Sequence, residues 1–481
     1  MTTATIIITI LAYFAAILII SWFTGKKADN ASFFSGNRKQ PWHVVAFAMI
    51  GSAMSGVTFV SVPGMVAASG FGYMQMTLGF IAGQLVIAFI LVPLFYRMNL
   101  ISIYGYLESR FGISSYRTGA WFFFISKMLG ASVRLYLVCI ALQLMVFGPL
   151  GIPFYVNVLV TVLVLLAYTF RGGVKAVIWI DFLKTFCMLV SIILCTIFIS
   201  KALGLTFGTM CQAVTDSGMS RVFYFDDPDH PQYFFKQFFG GMFTLIAMTG
   251  LDQDMMQRSL ACRNVRDSQK NIITSALLQT VVIFMFLVLG VLLYLFAGAF
   301  HVPDAAGDKL FPAVATCGQL PAVCGVLFVL GLVSCSYAAG GSALTALTTS
   351  FTVDILGTDG RGETETKTLR QRVHVLMACC MGLTIIVFSL LNNTSAIDAV
   401  YKLASYTYGP ILGMFAFGIM TRRIVRDGCV PWIAVVSPLL CLILQLNSEH
   451  WFGGYKFSYE LLIFNALFTM LGLLLCSRRR Y

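Results

Sequence analysis

Apolar positions along this chain fall in long unbroken runs rather than in the alternating or three-to-four spacing of half-buried elements. Thirteen runs recur, at 4–23, 43–68, 74–96, 118–148, 153–170, 176–200, 233–251, 271–298, 322–355, 373–391, 396–420, 430–446 and 459–476. About 20 apolar residues cross the hydrocarbon of a bilayer as a helix, and a helix satisfies its own backbone there. The pattern predicts an all-α polytopic membrane protein of about thirteen spans, forming a single transmembrane domain over 1–481. The longest runs, 118–148 and 322–355, predict tilted helices or helices that extend past the bilayer.

Composition sharpens this picture. Of 481 residues, 58% are apolar and 11% are charged, where an ordinary soluble domain carries about 25% charge. A water-soluble globular protein and a disordered chain are both excluded. The net charge is +12, but the basic residues sit in short clusters between the runs, which argues against a nucleic-acid-binding face. Loops on the side of residues 24–42 hold 23 of the 32 Lys and Arg, and the opposite loops hold 4. That bias predicts a cytoplasmic location for the first side. The N-terminus is then outside and Arg478-Arg479-Arg480 inside, in a plasma or bacterial inner membrane. The first run, followed by Lys26-Lys27, reads as a retained span rather than a cleavable signal. Most of the 13 cysteines lie within runs, where a thiol packs as a small hydrophobe. None has metal-site spacing; Cys211 and Cys317 are expected in outer loops.

Two spans carry polar interruptions. Residues 51–64 read GSAMSGVTFVSVPG, with Pro63, four hydroxyls and three glycines. Small residues alone would indicate close helix packing. With proline and hydroxyls among them, the run predicts an unwound segment whose carbonyls face a cavity. A second small and polar run, Gly240-Gly241, Thr244 and Thr249-Gly250, leads into LDQDMMQR. The two broken spans are the second and the seventh, and each opens a block of five, 43–200 and 233–420. Two five-helix repeats of opposite topology give that spacing, with extra helices 4–23, 430–446 and 459–476 outside them.

The motifs resemble the sodium:solute symporter family (solute carrier 5-like). They are SFFSGNR (32–38), SGVTFVSVPG (55–64), IYGYLESRFG (103–112), RGGVKAVIWIDF (171–182), GLDQDMMQR (250–258) and YGPILGMFAFGIM (408–420), in family order and spacing. The resemblance implies the LeuT-like five-plus-five inverted repeat and alternating-access symport driven by a sodium gradient. It does not select among sugars, organic acids, amino acids and vitamins. The rival classes have less to rest on. An enzyme would need paired chemistry that His43, His230, His301, His374 and His450 do not offer. A channel would need a repeated pore ring. A transporter-like sensor would have to act through another protein, and no obligatory protein partner is evident.

At the family's principal sodium site, the resemblance places carbonyls at Gly51 and Met54 in the second span and at Cys335 in the ninth. The paired hydroxyl ligands fall at Ala338-Ala339, which have none; Ser342 survives, and Ser336 or Thr345 are substitutes under a shifted register. A hard cation wants oxygen ligands, so the chain departs from the family here. In the sixth span Asp181 matches an acid that helps hold a second sodium in some members, and three residues on stands Lys184. An ionisable residue within a span is costly and points to function. Three readings stay open at this point. Asp181 and Lys184 neutralise each other as helix neighbours, or the Lys184 ammonium fills the space of a sodium ion in a sodium-independent or proton-coupled carrier, or neither residue has a role.

Arg134, in the middle of the fourth span, needs a partner or a cavity. Protein acids are scarce: Asp181 and Asp398 each have a local lysine, Lys184 and Lys402. That favours the carboxylate of a small organic anion, which suits the planar fork of an arginine. Acid-transporting family members resemble this, with an Arg one turn earlier where this chain has Gly130. Ser55, Thr58, Gln75, Gln84, Gln143, Tyr406 and Tyr408 are further candidate lining groups. Gly79 and Gly83 predict a helix contact. Lys127 and Lys236 are expected to snorkel towards span ends. The DQDMMQR run is expected at the cytoplasmic boundary, bracing a gate or loop.

Overall fold

The computed structural model describes residues 3–25, 33–34, 38–100, 102–148, 150–170, 173–228, 230, 232–303, 305–358, 360–391, 394–451, 457 and 460–478. The side chains of 3, 4, 25, 57, 137, 141, 144, 145, 336, 391–405 and 449 lie outside this description. Ser336, Asp398 and Lys402 are therefore among the expectations that fall outside the described side chains, and Lys26-Lys27 and Arg479-Arg480 outside the described residues.

The long apolar runs fold as helices: α1 (Thr3–Gly25), α2 (Trp42–Ala53), α3 (Gly56–Gly64), α4 (Tyr73–Arg97), α5 (Ile113–Leu142), α6 (Phe154–Thr169) and α7 (Gly173–Ala202). The second half continues with α8 (Phe234–Gly250), α9 (Gln253–Ser259), α10 (Val265–Ala299), α11 (Ala322–Ser350), α12 (Glu363–Leu391), α13 (Thr394–Met420), α14 (Val430–Trp451) and α15 (Leu461–Leu475). Among the described residues, 8 helices have the length and hydropathy of a span, or 10 when each bent pair is taken as one. The expected thirteen is not reached by that measure. Phe154–Thr169 and Leu461–Leu475 are shorter than the hydrocarbon is thick at 1.5 Å per residue.

Both expected interruptions are real breaks. α2 and α3 meet at 64°, and α8 and α9 at 73°. At the first, Met54 (φ −96°, ψ 122°) and Ser55 (φ −99°, ψ 169°) leave the helical region. Ser55 then starts α3 as a capping box: its hydroxyl accepts from the Thr58 amide, and the Thr58 hydroxyl accepts from the Ser55 amide. The reciprocal bonds satisfy donors that a fresh helix start would leave orphaned. At the second break the Asp252 carboxylate caps α9, accepting from the Met255 amide at 3.2 Å. Neither restart needs a neighbouring helix to complete its first turn.

Glycines set the closest approaches. A Cβ on Gly79 would lie 2.1 Å from the Phe238 carbonyl oxygen, and one on Gly241 would lie 2.5 Å from that of Met76, so α4 and α8 touch backbone to backbone. On the other side of the breaks, a Cβ on Gly51 would meet the Thr185 hydroxyl oxygen at 2.3 Å, which seats α2 directly on α7. Around α3, Phe59 is fully buried among Phe286, Phe311 and Phe328. A two-residue strand, Ile424–Val425, pairs antiparallel with Ser477–Arg478 and ties the loop after α13 to the end of α15. Cys211 and Cys317 are both free thiols.

Candidate functional site

The two breaks face a cavity of about 210 Å³ near the middle of the bundle. Its wall includes Ser52, Met54 and Thr58 from the first break, Ser126, Lys127, Gly130 and Arg134 from α5, and Asp252, Asp254 and Arg258 from the second break. Gln279 of α10, Ala339 and Ser342 of α11 and Tyr408 of α13 also line it, as do Tyr73 of α4 and Thr244 and Thr249 of α8.

The short helix α9 is the hub. All seven of its residues are buried, and its charged side chains reach four neighbouring helices. Arg258 pairs with Asp181 of α7 at 2.7 Å and with Asp254, one turn back, at 2.6 Å, and it also donates to the Ser52 hydroxyl. Lys127 of α5 bridges Asp252 at 3.1 Å and Asp254 at 2.7 Å. The Tyr408 hydroxyl donates to Asp252 at 2.5 Å, and the Ser342 hydroxyl donates to Asp254. Buried charges persist in a low-dielectric interior only when paired and hydrogen-bonded, and this network provides both.

Two further cations stand outside the pairing. Arg134 lines the cavity and has no hydrogen bond or ion pair among the described residues. Lys184 is fully buried in α7, and its Nζ has no hydrogen-bond partner. The formal charges then separate cleanly. Asp181, Asp252 and Asp254 balance Lys127, Arg258 and Lys184, which leaves Arg134 as one uncompensated positive charge facing open space.

The expected site residues divide as follows. Met54, Thr58, Arg134, Ala339 and Ser342 reach the cavity wall. Gly51, Cys335 and Ala338 are buried behind it, with Lys184 among them. Ser55 acts as the cap of α3 and is not on the wall. Gln84 donates to Gln279 at 3.2 Å, so Gln279 rather than Gln84 meets the cavity. Tyr406 turns away, its hydroxyl donating to Gln445 of α14. Gln75 braces the loop at Gln232, and Gln143 donates to the Ile152 carbonyl.

Three expectations are corrected. Lys127 does not snorkel: its side chain is 12% exposed and doubly ion-paired. The DQDMMQR run is no boundary segment, because its charged residues form the centre of the site. Asp181 is neutralised by Arg258 rather than by Lys184. One signal would have exposed this: Asp254 and Arg258 are spaced one turn apart, and the cost argument applied to Arg134 applies equally to Lys127.

The oxygen set for a sodium ion is incomplete. The backbone carbonyls at Gly51, Met54 and Cys335 remain. Ala338 and Ala339 bring no side-chain oxygen; the Ser342 hydroxyl donates to Asp254 and the Thr345 hydroxyl to the Gly341 carbonyl, and each oxygen keeps its lone pairs. Asp181 pairs with Arg258 through Oδ2, while its buried Oδ1 has no hydrogen-bond partner. Hard cations take oxygen donors; among the described side chains Ser342, Thr345 and the free Oδ1 of Asp181 offer oxygens, Ala338 and Ala339 do not, and Ser336 lies outside the described side chains.

An all-helical bundle with two broken spans around a charged central cavity defines a secondary transporter. The chain belongs to the sodium:solute symporter family, whose model matches residues 33–434. It is a cation-coupled solute symporter. It is similar to the sodium/sialic acid symporter NanT of Aliivibrio fischeri, at 25% identity, covering 93% of this chain and 89% of that protein. It is also similar to the human sodium-coupled monocarboxylate transporter 2, at 24% identity, covering 85% of this chain and 67% of that one. Its fold is shared with a solved Na⁺-coupled sialic acid symporter in a substrate-bound, outward-open state, at TM-score 0.82 and 18% identity over 99% of both chains.

Proposed function

We propose that this symporter carries a small carboxylate-bearing organic solute, and that Arg134 holds the carboxylate. The observation that carries the reading is the charge balance. Counted as formal charges, the three carboxylates of the site offset three of its four cations, and of the two that make no ion pair, Lys184 is buried and Arg134 faces the cavity. A singly charged anion there brings the site to neutrality, and a low-dielectric site strongly favours that state. Gly130, one turn before Arg134, has no atom within 4 Å of the position its Cβ would take, which leaves room beside the guanidinium. The Ser126 hydroxyl, buried without a partner, and Gln279 offer neutral polar contacts for the rest of the solute. The relatives named for sialic acid and for monocarboxylates support this solute class.

The remaining parts of the reading are architectural. The blocks 43–200 and 233–420 act as inverted repeats, the N-terminus lies outside, and the pair α8–α9 rocks with α2–α3 against the other helices to alternate access. No group in the site is assigned a catalytic role. The relatives are named as sodium-coupled, which supports sodium as the coupling ion.

The test is binding of sialic acid and of lactate to purified protein by calorimetry, beside a neutral hexose. Arg134→Gln is expected to weaken the carboxylate ligand at least about 30-fold, since losing one partner of a desolvated charge pair costs about 2 kcal/mol or more. Undiminished affinity in Arg134→Gln for a transported carboxylate overturns the assignment.

A further inference from the structure

Far from the central cavity, the loop after α13 and the end of α15 bring two cysteines together. The pairing of Ile424–Val425 with Ser477–Arg478 continues one step further, where the Arg426 amide donates to the Cys476 carbonyl at 3.2 Å. The chain then turns back within three residues, and the Cys429 amide donates to the Arg426 carbonyl at 3.0 Å. Both cysteines are thus held against the backbone of one residue, and their thiols share a hydrogen bond. Each is a free thiol, and each is partly exposed. We propose that Cys429 and Cys476 form a modification site, a dithiol that a low-molecular-weight disulfide in solution oxidises reversibly to an intramolecular disulfide.

Proximity and access coincide at this pair. A second close pair, Cys195 of α7 and Cys324 of α11, is buried in the bundle, with the Cys195 thiol donating to the Cys324 carbonyl at 3.9 Å. A water-borne reagent does not reach it. At Cys429 and Cys476 the exchange balances in two steps. One protein thiolate attacks the small disulfide and expels a small thiolate, leaving a mixed disulfide. The other protein thiolate attacks the protein sulfur of that bond and expels the second small thiolate. The protein loses two electrons and two protons, and one small disulfide becomes two thiols. In the proposed orientation this face is cytoplasmic, where disulfides are usually transient and redox-sensing. The bond would also have a mechanical effect. Asp427 accepts from the Ser114 and Ser115 amides at 2.7 and 2.8 Å and from the Ser115 hydroxyl at 2.6 Å, which caps the start of α5. α5 carries Lys127 and Arg134 to the cavity. The disulfide therefore pins the end of α15 to the turn that caps α5.

The inference does not depend on the solute or the coupling ion, so its failure leaves Arg134 untouched. The probe is millimolar oxidised glutathione on the purified, reduced full chain. Free thiols are then alkylated and the peptides read by mass spectrometry. A linked Cys429–Cys476 peptide is expected. Free thiol at the two positions is expected to fall together by about tenfold or more, because the neighbouring thiol acts at an effective concentration of about millimolar or above. Reduced glutathione is expected to restore both, and Cys195 and Cys324 are expected to stay reduced throughout. Cys429→Ser is expected to leave Cys476 carrying glutathione, since no second thiol resolves the mixed disulfide. Two unmodified thiols in the wild type, or glutathione on each without a linked peptide, overturn the assignment. So does linkage of Cys195 to Cys324 at the same rate, which would mean that the reaction reports unfolding. Hydrogen exchange at Ser114 and Ser115 reads the mechanical effect. It is expected to slow in the oxidised wild type and not in Cys429→Ser, and unchanged exchange in the linked protein overturns the pinning of α5.

Discussion

Arg134 and Lys184 are both cations within an apolar bundle, and their surroundings give them opposite work. Arg134 faces open space, so its charge is available to a solute. Lys184 is walled in by helices, so its charge belongs to the site itself. The aromatic hydroxyl of Tyr408 belongs to neither group; it steadies a carboxylate. Asp252 accepts from Tyr408, from Lys127 and from the Met255 amide, three donors on one buried carboxylate. A hydrogen bond to a charged group is worth about 1.5–3 kcal/mol. Tyr408→Phe is therefore expected to lower stability by about that amount in chemical melts. In an Asp252→Asn background the same substitution is expected to cost clearly less, since removing the charge removes most of what the phenol stabilises. A double-mutant cycle measures the difference, and equal losses in the two backgrounds would show that the phenol acts by packing alone.

At the scale of elements, the breaks and the glycine contacts decide where the site can form. α4 and α8 approach so closely that a methyl on Gly79 would have only backbone to push against. Gly79→Ala is expected to destabilise by about 1–3 kcal/mol, as overpacking of a well-filled contact does. Gly208→Ala, in the short helix Phe207–Asp216 where nothing lies within 4 Å, is expected to be neutral or mildly stabilising; similar losses in both melts would refute the packing account. The elements themselves were largely legible, because an unbroken apolar run has one solution in lipid. Which face of a helix meets the cavity was not. Tyr406 and Tyr408 are two residues apart, about 200° around the helix; one reaches α14 and the other Asp252. Hydropathy also misplaced the second break. It treats charge as a sign of the water boundary, so the seventh run ends at 251 and Asp252 to Arg258 look like a loop. Their partners Lys127, Asp181 and Ser342 lie about 80–130 residues away in sequence, and no local pattern joins them. The missing hydroxyls at Ala338-Ala339 were visible, but the allegiance of Asp181 required the fold.

Across the whole molecule, the ion pairs of α9 fasten one half of a broken helix to α5 and α7, and hydrogen bonds fasten it to α11 and α13. In the proposed alternating-access cycle α9 moves on that side of the cavity, and these bonds then set the balance between closed and open states as well as the charge of the site. The two roles can be separated. Deleting one partner leaves a buried charge unpaired and destabilises by about 3–5 kcal/mol, whereas replacing both partners with apolar groups of similar volume is often nearly neutral. Asp181→Leu with Arg258→Met therefore removes the fastening while preserving the fold. Cys262, fully buried just past the end of α9, is a native reporter of that movement. Its alkylation rate, read by mass spectrometry of the Cys262 peptide, is expected to rise about tenfold or more in the double variant, since each 1.4 kcal/mol taken from the closed state multiplies the open population by ten. The melting temperature is expected to change much less than in Arg258→Met alone. An unchanged Cys262 rate in a well-folded double variant would mean that the Asp181–Arg258 pair holds charge in the site without holding α9 in place.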